Sequence, residues 1–310
     1  MTTILRIGTR GSPLALAQAR ETARRLGAAF PELAVEGAVE IVVIKTTGDR
    51  VQDRALAEIG GKGLFTKEIE EALIEKSIDL AVHSMKDVAT WLPPGLEIAC
   101  LLPREDPRDA FFARGGVAGL DDLPPGAVVG TASLRRQAQV LARRPDVSVV
   151  TFRGNVESRL RKLAEGQVDA TLLAVAGLKR LGKAEGITAI LPEDQMLPAV
   201  AQGAIGIECR SDDDRVLECL APLHCAPTAE RVAAERALLK VLDGSCRTPI
   251  AALATLGEGG RISLDALVAK PDGSETHRLR REGMAADAAA LGAEAGAELK
   301  ARIGPDFLIA

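Results

Sequence analysis

Tyrosine is absent from this 310-residue chain, tryptophan occurs once and phenylalanine six times. Single-stranded nucleic acid is gripped largely by stacking on such rings, so their scarcity argues against nucleic acid as a partner. An excess of positive charge is missing too. The 39 lysines and arginines are outnumbered by 43 acids, which gives a formal net charge of −4 and no general basic field. No apolar run approaches the ~20 residues of a membrane helix, so no membrane association is expected. The opening Met1-Thr2-Thr3-Ile4-Leu5-Arg6 has no basic stretch leading into an apolar core. No secretory signal is read there, and a cytoplasmic location is expected. The five cysteines, at 100, 209, 219, 225 and 246, are odd in number and far apart, which fits reduced thiols better than a disulfide framework. Cys219, His224 and Cys225 have neither CxxC nor HxxxH spacing, so no metal site is expected.

What is present is a motif used three times, a buried strand running into basic and hydroxyl residues that open a helix. Ile4–Gly8 leads through Thr9-Arg10-Gly11-Ser12-Pro13 into the apolar-periodic Leu14–Leu26. Ala127–Gly130 leads through Thr131-Ala132-Ser133-Leu134-Arg135-Arg136 into Gln137–Arg144, and Val147–Phe152 through Arg153-Gly154-Asn155 into Val156–Ala164. Each turn gathers unsatisfied helix N–H groups, the positive end of a helix dipole and at least one guanidinium. Three such turns predict an anion-binding cleft for a ligand rich in carboxylate or phosphate.

The rest of the chain supports an α/β architecture with function at the carboxyl ends of its strands. Val39–Lys45 and Ile78–His83 read as strands, with a helix over Phe65–Glu75 between them. A loose internal echo relates Glu71–Lys86 to Lys162–Lys179, each with an aspartate (Asp79, Asp169) before an apolar strand, Ala170–Ala176 in the second. Leu102–Asp109 and Leu191–Pro198 read as two crossings between domains, after which Ala199–Cys209 returns as a strand. A middle domain inserted into the first follows from that pairing. The expected division is 1–103 with 200–221, then 104–199, then 222–310. In the last part Thr228 is expected to cap a helix over Ala229–Leu242, ahead of a small α+β domain.

Several side chains have the right chemistry in the right place. Asp87 follows the strand that ends at Ser84 and sits beside Lys86, well placed for acid–base or electrostatic work. His83 and Ser84 are not a nucleophile pair, because neighbours on a strand point to opposite faces. Gly60-Gly61-Lys62-Gly63 lacks the first glycine and the Lys-Ser/Thr of a Walker loop, and reads as a flexible loop carrying one lysine. Cys246, beside Arg247 in a helix-to-strand loop, is a candidate nucleophile or attachment point, although most lone cysteines only fill space.

Taken together, these segments resemble the porphobilinogen deaminase (hydroxymethylbilane synthase) family. The resemblance runs through Arg6–Leu16, Gly60–Phe65, Val82–Asp87, Arg104–Ala110 and Gly130–Gln137. It continues through Arg153-Gly154-Asn155, Leu173–Arg180, Pro198–Arg210 and Gly244–Ile250. It implies two domains like those of type II periplasmic binding proteins around a hinged cleft, plus a small C-terminal α+β domain. It implies a transferase that joins four porphobilinogen molecules head to tail with loss of ammonia, in tetrapyrrole (haem) biosynthesis, then releases linear hydroxymethylbilane with water. By the family pattern Cys246 holds one dipyrromethane cofactor through a thioether, and Lys86, Ser133, Arg135, Arg136 and Gly203 contact it. Arg10, Ser12, Arg153, Arg159 and Arg180 match positions that bind substrate carboxylates, with Lys62 over the cleft and Gln202 beside the hinge. Asp87 matches the catalytic carboxylate, placed to stabilise the electron-poor azafulvene left when ammonia departs. A monomer is implied, with a transient hand-over of product to the next tetrapyrrole-pathway enzyme.

Three departures stand out. Glu58 replaces a frequent lysine, Ala132 a frequent serine and Ser245 a frequent glycine. A solute-binding or effector-sensing module would share the two-domain cleft without catalysis. The absence of a signal peptide and of a DNA-binding helix pair, and the pairing of Asp87 with Cys246, favour the enzyme. Phosphoryl transfer is disfavoured by the missing Walker loop.

Overall fold

The computed structural model describes residues 4–50, 63–243, 248–304 and 307. In chain order the first stretch contains β1 (Leu5–Arg10), α1 (Pro13–Ala29), β2 (Val39–Ile44), the single turn α2 (Thr47–Arg50), α3 (Lys67–Ile74), β3 (Leu80–Ser84) and β4 (Leu96–Leu101). Next come β5 (Asp109–Ala113), β6 (Val128–Gly130), α4 (Leu134–Arg143), β7 (Ser148–Val150), α5 (Val156–Ala164), β8 (Ala170–Ala174), α6 (Val175–Arg180) and β9 (Ala189–Ile190). The chain then forms β10 (Ile205–Arg210), α7 (Asp214–Leu220) and α8 (Ala226–Val241), and closes with β11 (Ile250–Leu256), β12 (Arg261–Ala269), β13 (Thr276–Met284) and α9 (Ala288–Arg302). Among the described residues no helix is long and apolar enough to cross a membrane.

Contacts gather these elements into two compact units. Among the described residues the first unit takes those up to 105 together with 204–229, and the second takes 106–203 and those from 230 on. The first unit is built on a five-stranded sheet in the order β2-β1-β3-β10-β4. β1, β2 and β3 run parallel, and β10 lies antiparallel between β3 and β4. Its strands are apolar on both faces because both faces are covered. Ala19 and Leu26 of α1 pack with Leu5, Ile7, Leu80 and Ile207, and on the other side Ile69 and Leu73 of α3 pack with Ile78, Ala81 and Leu96.

The second unit repeats the plan. Its sheet runs β7-β6-β8-β5-β9, with β6, β7 and β8 parallel and β5 antiparallel to both its neighbours. The internal echo in the sequence has a physical counterpart here. The Asp79 carboxylate accepts the N–H of Arg6 at 2.7 Å where β1 begins, and Asp169 accepts that of Val128 at 2.8 Å where β6 begins. The expected middle and C-terminal domains fall in this one unit, where Ala138 of α4 and Leu197 pack against Ala251, Leu253, Leu267 and Ala269 of the antiparallel β11-β12-β13 sheet.

Three local expectations change. The strand expected over Ala199–Cys209 begins only at Ile205, because Ala201 (φ 57°) and Gly203 (φ 89°) hold left-handed conformations that no strand accommodates. The strand expected over Ala170–Ala176 stops at Ala174 and turns directly into α6. α8 starts at Ala226, so Thr228 lies inside it and does not cap it; its hydroxyl accepts the Arg104 N–H at 3.0 Å and donates to the Cys225 sulfur at 3.3 Å.

Candidate functional site

In the first unit the carboxyl ends of β1 and β3 form a small pocket whose polar lining includes Arg10, Ser12, Gln18, His83, Ser84 and Asp87. Ser12 caps α1, its hydroxyl accepting the Ala15 N–H at 3.2 Å with Pro13 opening the helix. Arg10 ends β1, with its guanidinium 4.1 Å above the Phe65 ring and 3.8 Å from the Asp87 carboxylate. Asp87 and Lys86 occupy a short 3₁₀ turn, Met85–Asp87, directly after β3, and both are half-buried. His83 and Ser84 do point to opposite faces. The Ser84 hydroxyl bonds the Gln18 side chain of α1, whereas His83 Nε2 meets Glu208 Oε2 at 2.9 Å on the α3 side.

A second carboxylic acid, Glu70 on α3, lies buried near that pair. Burial pushes its carboxyl up and the nearby Glu208 raises it further, while Thr66 and His83 partly oppose the rise. A glutamate whose folded value exceeds its unfolded one carries no penalty below the ordinary glutamate range and a growing one as pH rises above it. Glu70→Gln is therefore expected to raise Tm at pH 7, with the gain fading as pH falls toward about 4. Thermal unfolding across that range checks it, and a gain larger in acid than at neutrality would contradict the sign.

The second unit supplies the other two strand-to-helix turns. Ser133 caps α4 by accepting the Arg136 N–H at 3.4 Å, and Asn155 caps α5 by accepting the Ser158 N–H at 2.9 Å. Between them, Gly154 at φ 132° is a position for glycine alone, since an added Cβ would also lie 2.1 Å from the Ser158 hydroxyl oxygen.

Arg135 and Arg136 are side by side and buried, and both grip Asp109 at the head of β5. Arg135 Nη2 and Arg136 Nη2 each donate to one Asp109 oxygen at 2.7 Å, and their Nη1 groups donate to the carbonyls of Leu197 and Leu172. Gln202 joins the same network, donating to Asp109 at 2.9 Å and to the Pro107 carbonyl at 2.7 Å. Burial alone would raise the Asp109 carboxyl, but the two guanidiniums hold it far below the usual carboxylate range. The Nε atoms of both arginines are buried with no hydrogen-bond partner among the described residues.

Arg159 lies in a different environment. Burial, then repulsion from Arg136 and Arg153, brings it down to about 10. Its Nε donates to the Gly154 carbonyl at 2.8 Å, while Arg180 donates to the Gly203 carbonyl at 3.0 Å. The structure thus gathers Arg10, Ser12, Lys86 and Asp87 in one unit. In the other it gathers Ser133, Arg135, Arg136, Arg153 and Arg159, with Gln202 tied to Asp109 and Arg180 to Gly203. Lys62 and Cys246, with Glu58 and Ser245, lie outside the described residues. Sequence reasoning passes over Asp109, Gln18, Phe65 and the His83–Glu208 pair. Asp109 alone had a local signal, an acid placed at the start of an apolar run.

Comparison with known proteins agrees across nearly the whole chain. A family model described as "Porphobilinogen deaminase, dipyromethane cofactor binding domain" matches residues 5–218, and one described as "Porphobilinogen deaminase, C-terminal domain" matches residues 229–301. A chloroplastic porphobilinogen deaminase of Oryza sativa subsp. japonica is 58% identical over 306 residues, covering 98% of this chain and 85% of its own. Porphobilinogen deaminase of Paracoccus denitrificans is 57% identical over 303 residues, covering 98% of this chain and 96% of its own. Among solved structures, a TRAP periplasmic solute binding protein from Desulfovibrio salexigens covers 72% of this chain and 73% of its own at 12% identity and a TM-score of 0.42.

Proposed function

The chain belongs to the porphobilinogen deaminase family, and from that membership we propose how its own side chains carry the family's reaction. The activity is that of a hydroxymethylbilane synthase, a transferase that joins four porphobilinogen molecules with release of ammonia, on a dipyrromethane cofactor. At each addition a C–N bond of the substrate breaks, ammonia leaves, and a new C–C bond forms to the pyrrole carbon at the chain end. That carbon gives up its proton.

The observation that carries the assignment is the Asp87 carboxylate at the end of β3, 3.8 Å from Arg10 and in one pocket with Ser12. In this reading Asp87 holds negative charge where the substrate becomes cationic on losing ammonia, accepting the pyrrole N–H. It also takes up and returns protons at its carboxylate oxygens. Arg10, with Lys86 from the Met85–Asp87 turn, receives substrate carboxylates, as a guanidinium fork suits.

The second unit fits a ligand bearing several carboxylates. Among the described residues two buried guanidinium Nε–H groups have no hydrogen-bond partner, and Arg159 is buried and crowded by the positive charges of Arg136 and Arg153. Ser133, Arg135, Arg136 and Gly203 are assigned to the dipyrromethane together with Lys86, and Arg153, Arg159 and Arg180 to substrate carboxylates. Lys62 and Gln202 complete the assigned set, with Cys246 as the covalent attachment point. When bound, the dipyrromethane supplies the primer from which the oligopyrrole grows. We read the chain as three domains, divided at 1–103 with 200–221, 104–199 and 222–310. We read it also as a cytoplasmic monomer that passes its product to the next enzyme of the pathway.

Intact mass tests the attachment. The native protein is expected to be heavier than its sequence by a two-pyrrole adduct, and Cys246→Ser to lose both the adduct and hydroxymethylbilane formation. An adduct that survives in Cys246→Ser, or maps to Cys100, Cys209, Cys219 or Cys225, would overturn it.

A further inference from the structure

The His83–Glu208 pair has no place in the chemistry assigned so far. Both side chains are buried, at 5% and 0% exposure, in the face of the sheet covered by α3. Glu208 Oε2 meets His83 Nε2 at 2.9 Å, while Oε1 has no hydrogen-bond partner among the described residues. Glu70 of α3 interacts electrostatically with both members of the pair. Arg210, two residues along β10 on the same face, is turned instead to Asp213 and to the carbonyls of Leu73 and Ile78. A half-satisfied buried acid is a poor source of stability, since apolar residues of similar volume usually do as well or better.

Its location suggests another reason for it. His83 lines the same pocket as Asp87 and is the penultimate residue of the strand from which the Met85–Asp87 turn departs. Ser84, the next residue, is tied to Gln18 on the opposite face, and the Met85 N–H donates to the Ala204 carbonyl at 3.1 Å. Met85 Sδ fills the space over Gly206, where an added Cβ would lie 2.0 Å from the sulfur. Gly206 is the register partner of His83 across β3 and β10, and Glu208 that of Ala81. The root of the turn is thus pinned from both faces of the sheet, and on the α3 face the pin is the His83–Glu208 bond.

We propose that Glu208 and His83 are positioning residues for Asp87, with Glu208 fixing the imidazole and the imidazole fixing the end of β3 that aims the carboxylate. This role rests on the assignment of Asp87 made above. A displacement of about 1 Å at a reacting group is enough to slow chemistry by about 100-fold, so a small loosening here registers in kcat.

The test uses the cofactor-loaded enzyme and three variants. Replacing both partners by apolar residues, His83→Leu with Glu208→Met, leaves no unpaired buried charge, so Tm should stay equal or rise. Its kcat should nevertheless fall by about tenfold or more, with KM within about twofold of the parent. Glu208→Gln keeps a partner for the ring and should remain within about threefold of parental kcat. Parental kcat in the double variant would overturn the role, as would a loss confined to KM. Failure of the double variant to fold would show the pair serving stability and would overturn it too. Asp87→Asn separates the two layers. If it releases ammonia at the parental rate, the Asp87 assignment itself fails. If it is slow while the double variant runs normally, only the positioning role fails.

Discussion

Asp87→Asn is expected to slow single-turnover ammonia release by about 100-fold or more, the order seen when one preorganised electrostatic group is removed from a reacting site. The substitution keeps the size of the side chain and removes its charge. That charge matters most after ammonia has begun to leave, so the loss should appear in kcat with KM little changed. Arg10, 3.8 Å from Asp87, keeps its place above the Phe65 ring, which preserves the pocket while its anion is lost. Asp87→Glu retains the charge but shifts it by a methylene and should fall between parent and Asn. Rapid-quench ammonia measurement on protein of verified mass and circular dichroism decides the matter. Asn turning over as fast as the parent would show that the cation is stabilised elsewhere.

The second large effect is structural. Asp109→Ala would leave Arg135 and Arg136, with side chains only 5% and 7% exposed, facing each other without the carboxylate that joins them. Breaking a buried pair from one side costs about 3–5 kcal/mol, and here one residue serves two pairs. Urea unfolding should show a midpoint far below the parent, or no folded protein at all. Asp109→Asn keeps one acceptor oxygen but turns an NH2 donor toward the other guanidinium, so it too should be strongly destabilised. Because the folded Asp109 carboxyl is held far below the usual range, its contribution is in place above that range. It is lost only as pH falls through the depressed value, so the deficit of either variant should persist through mildly acidic conditions. A deficit that vanished between about pH 5 and 4, where ordinary carboxylates begin to protonate, would contradict the assignment. Arg135→Lys and Arg136→Lys belong to the same test, since a lysine cannot reach both Asp109 and a backbone carbonyl in the way each fork does.

Much of this was legible in the sequence where the signal is local. α5 spans the expected Val156–Ala164, and the three turns carry their caps at Ser12, Ser133 and Asn155. A cap needs only a polar side chain a few residues ahead of an apolar period, and the sequence displays both. What escaped was tertiary. Asp109 meets Arg135 across 26 residues and His83 meets Glu208 across 125, and nothing in the flanking residues points from one partner to the other. The expected strand from Ala199 failed for a conformational reason, because small apolar residues tolerate β structure but do not exclude the left-handed turn at Ala201. The arginines illustrate both outcomes. Their clustering at strand ends was visible, whereas the capture of Arg135 and Arg136 by Asp109, and the crowding of Arg159 by Arg136 and Arg153, were not.

The paired aspartates at the starts of the two sheets have an evolutionary consequence. Asp79 and Asp169 tie down the amino edges of their sheets by the same hydrogen bond, at the opposite end of the strands from Arg10, Asp87, Ser133 and Arg153. The residues that keep each half folded are thereby insulated from those that meet the ligand. Loops at the carboxyl edges can change without disturbing those ties, and they carry Arg10, Lys86 and Asp87 in one half and Ser133, Arg153 and the Arg135–Arg136 pair in the other. The chemistry at one carboxyl edge can therefore be altered without rebuilding the architecture of either half.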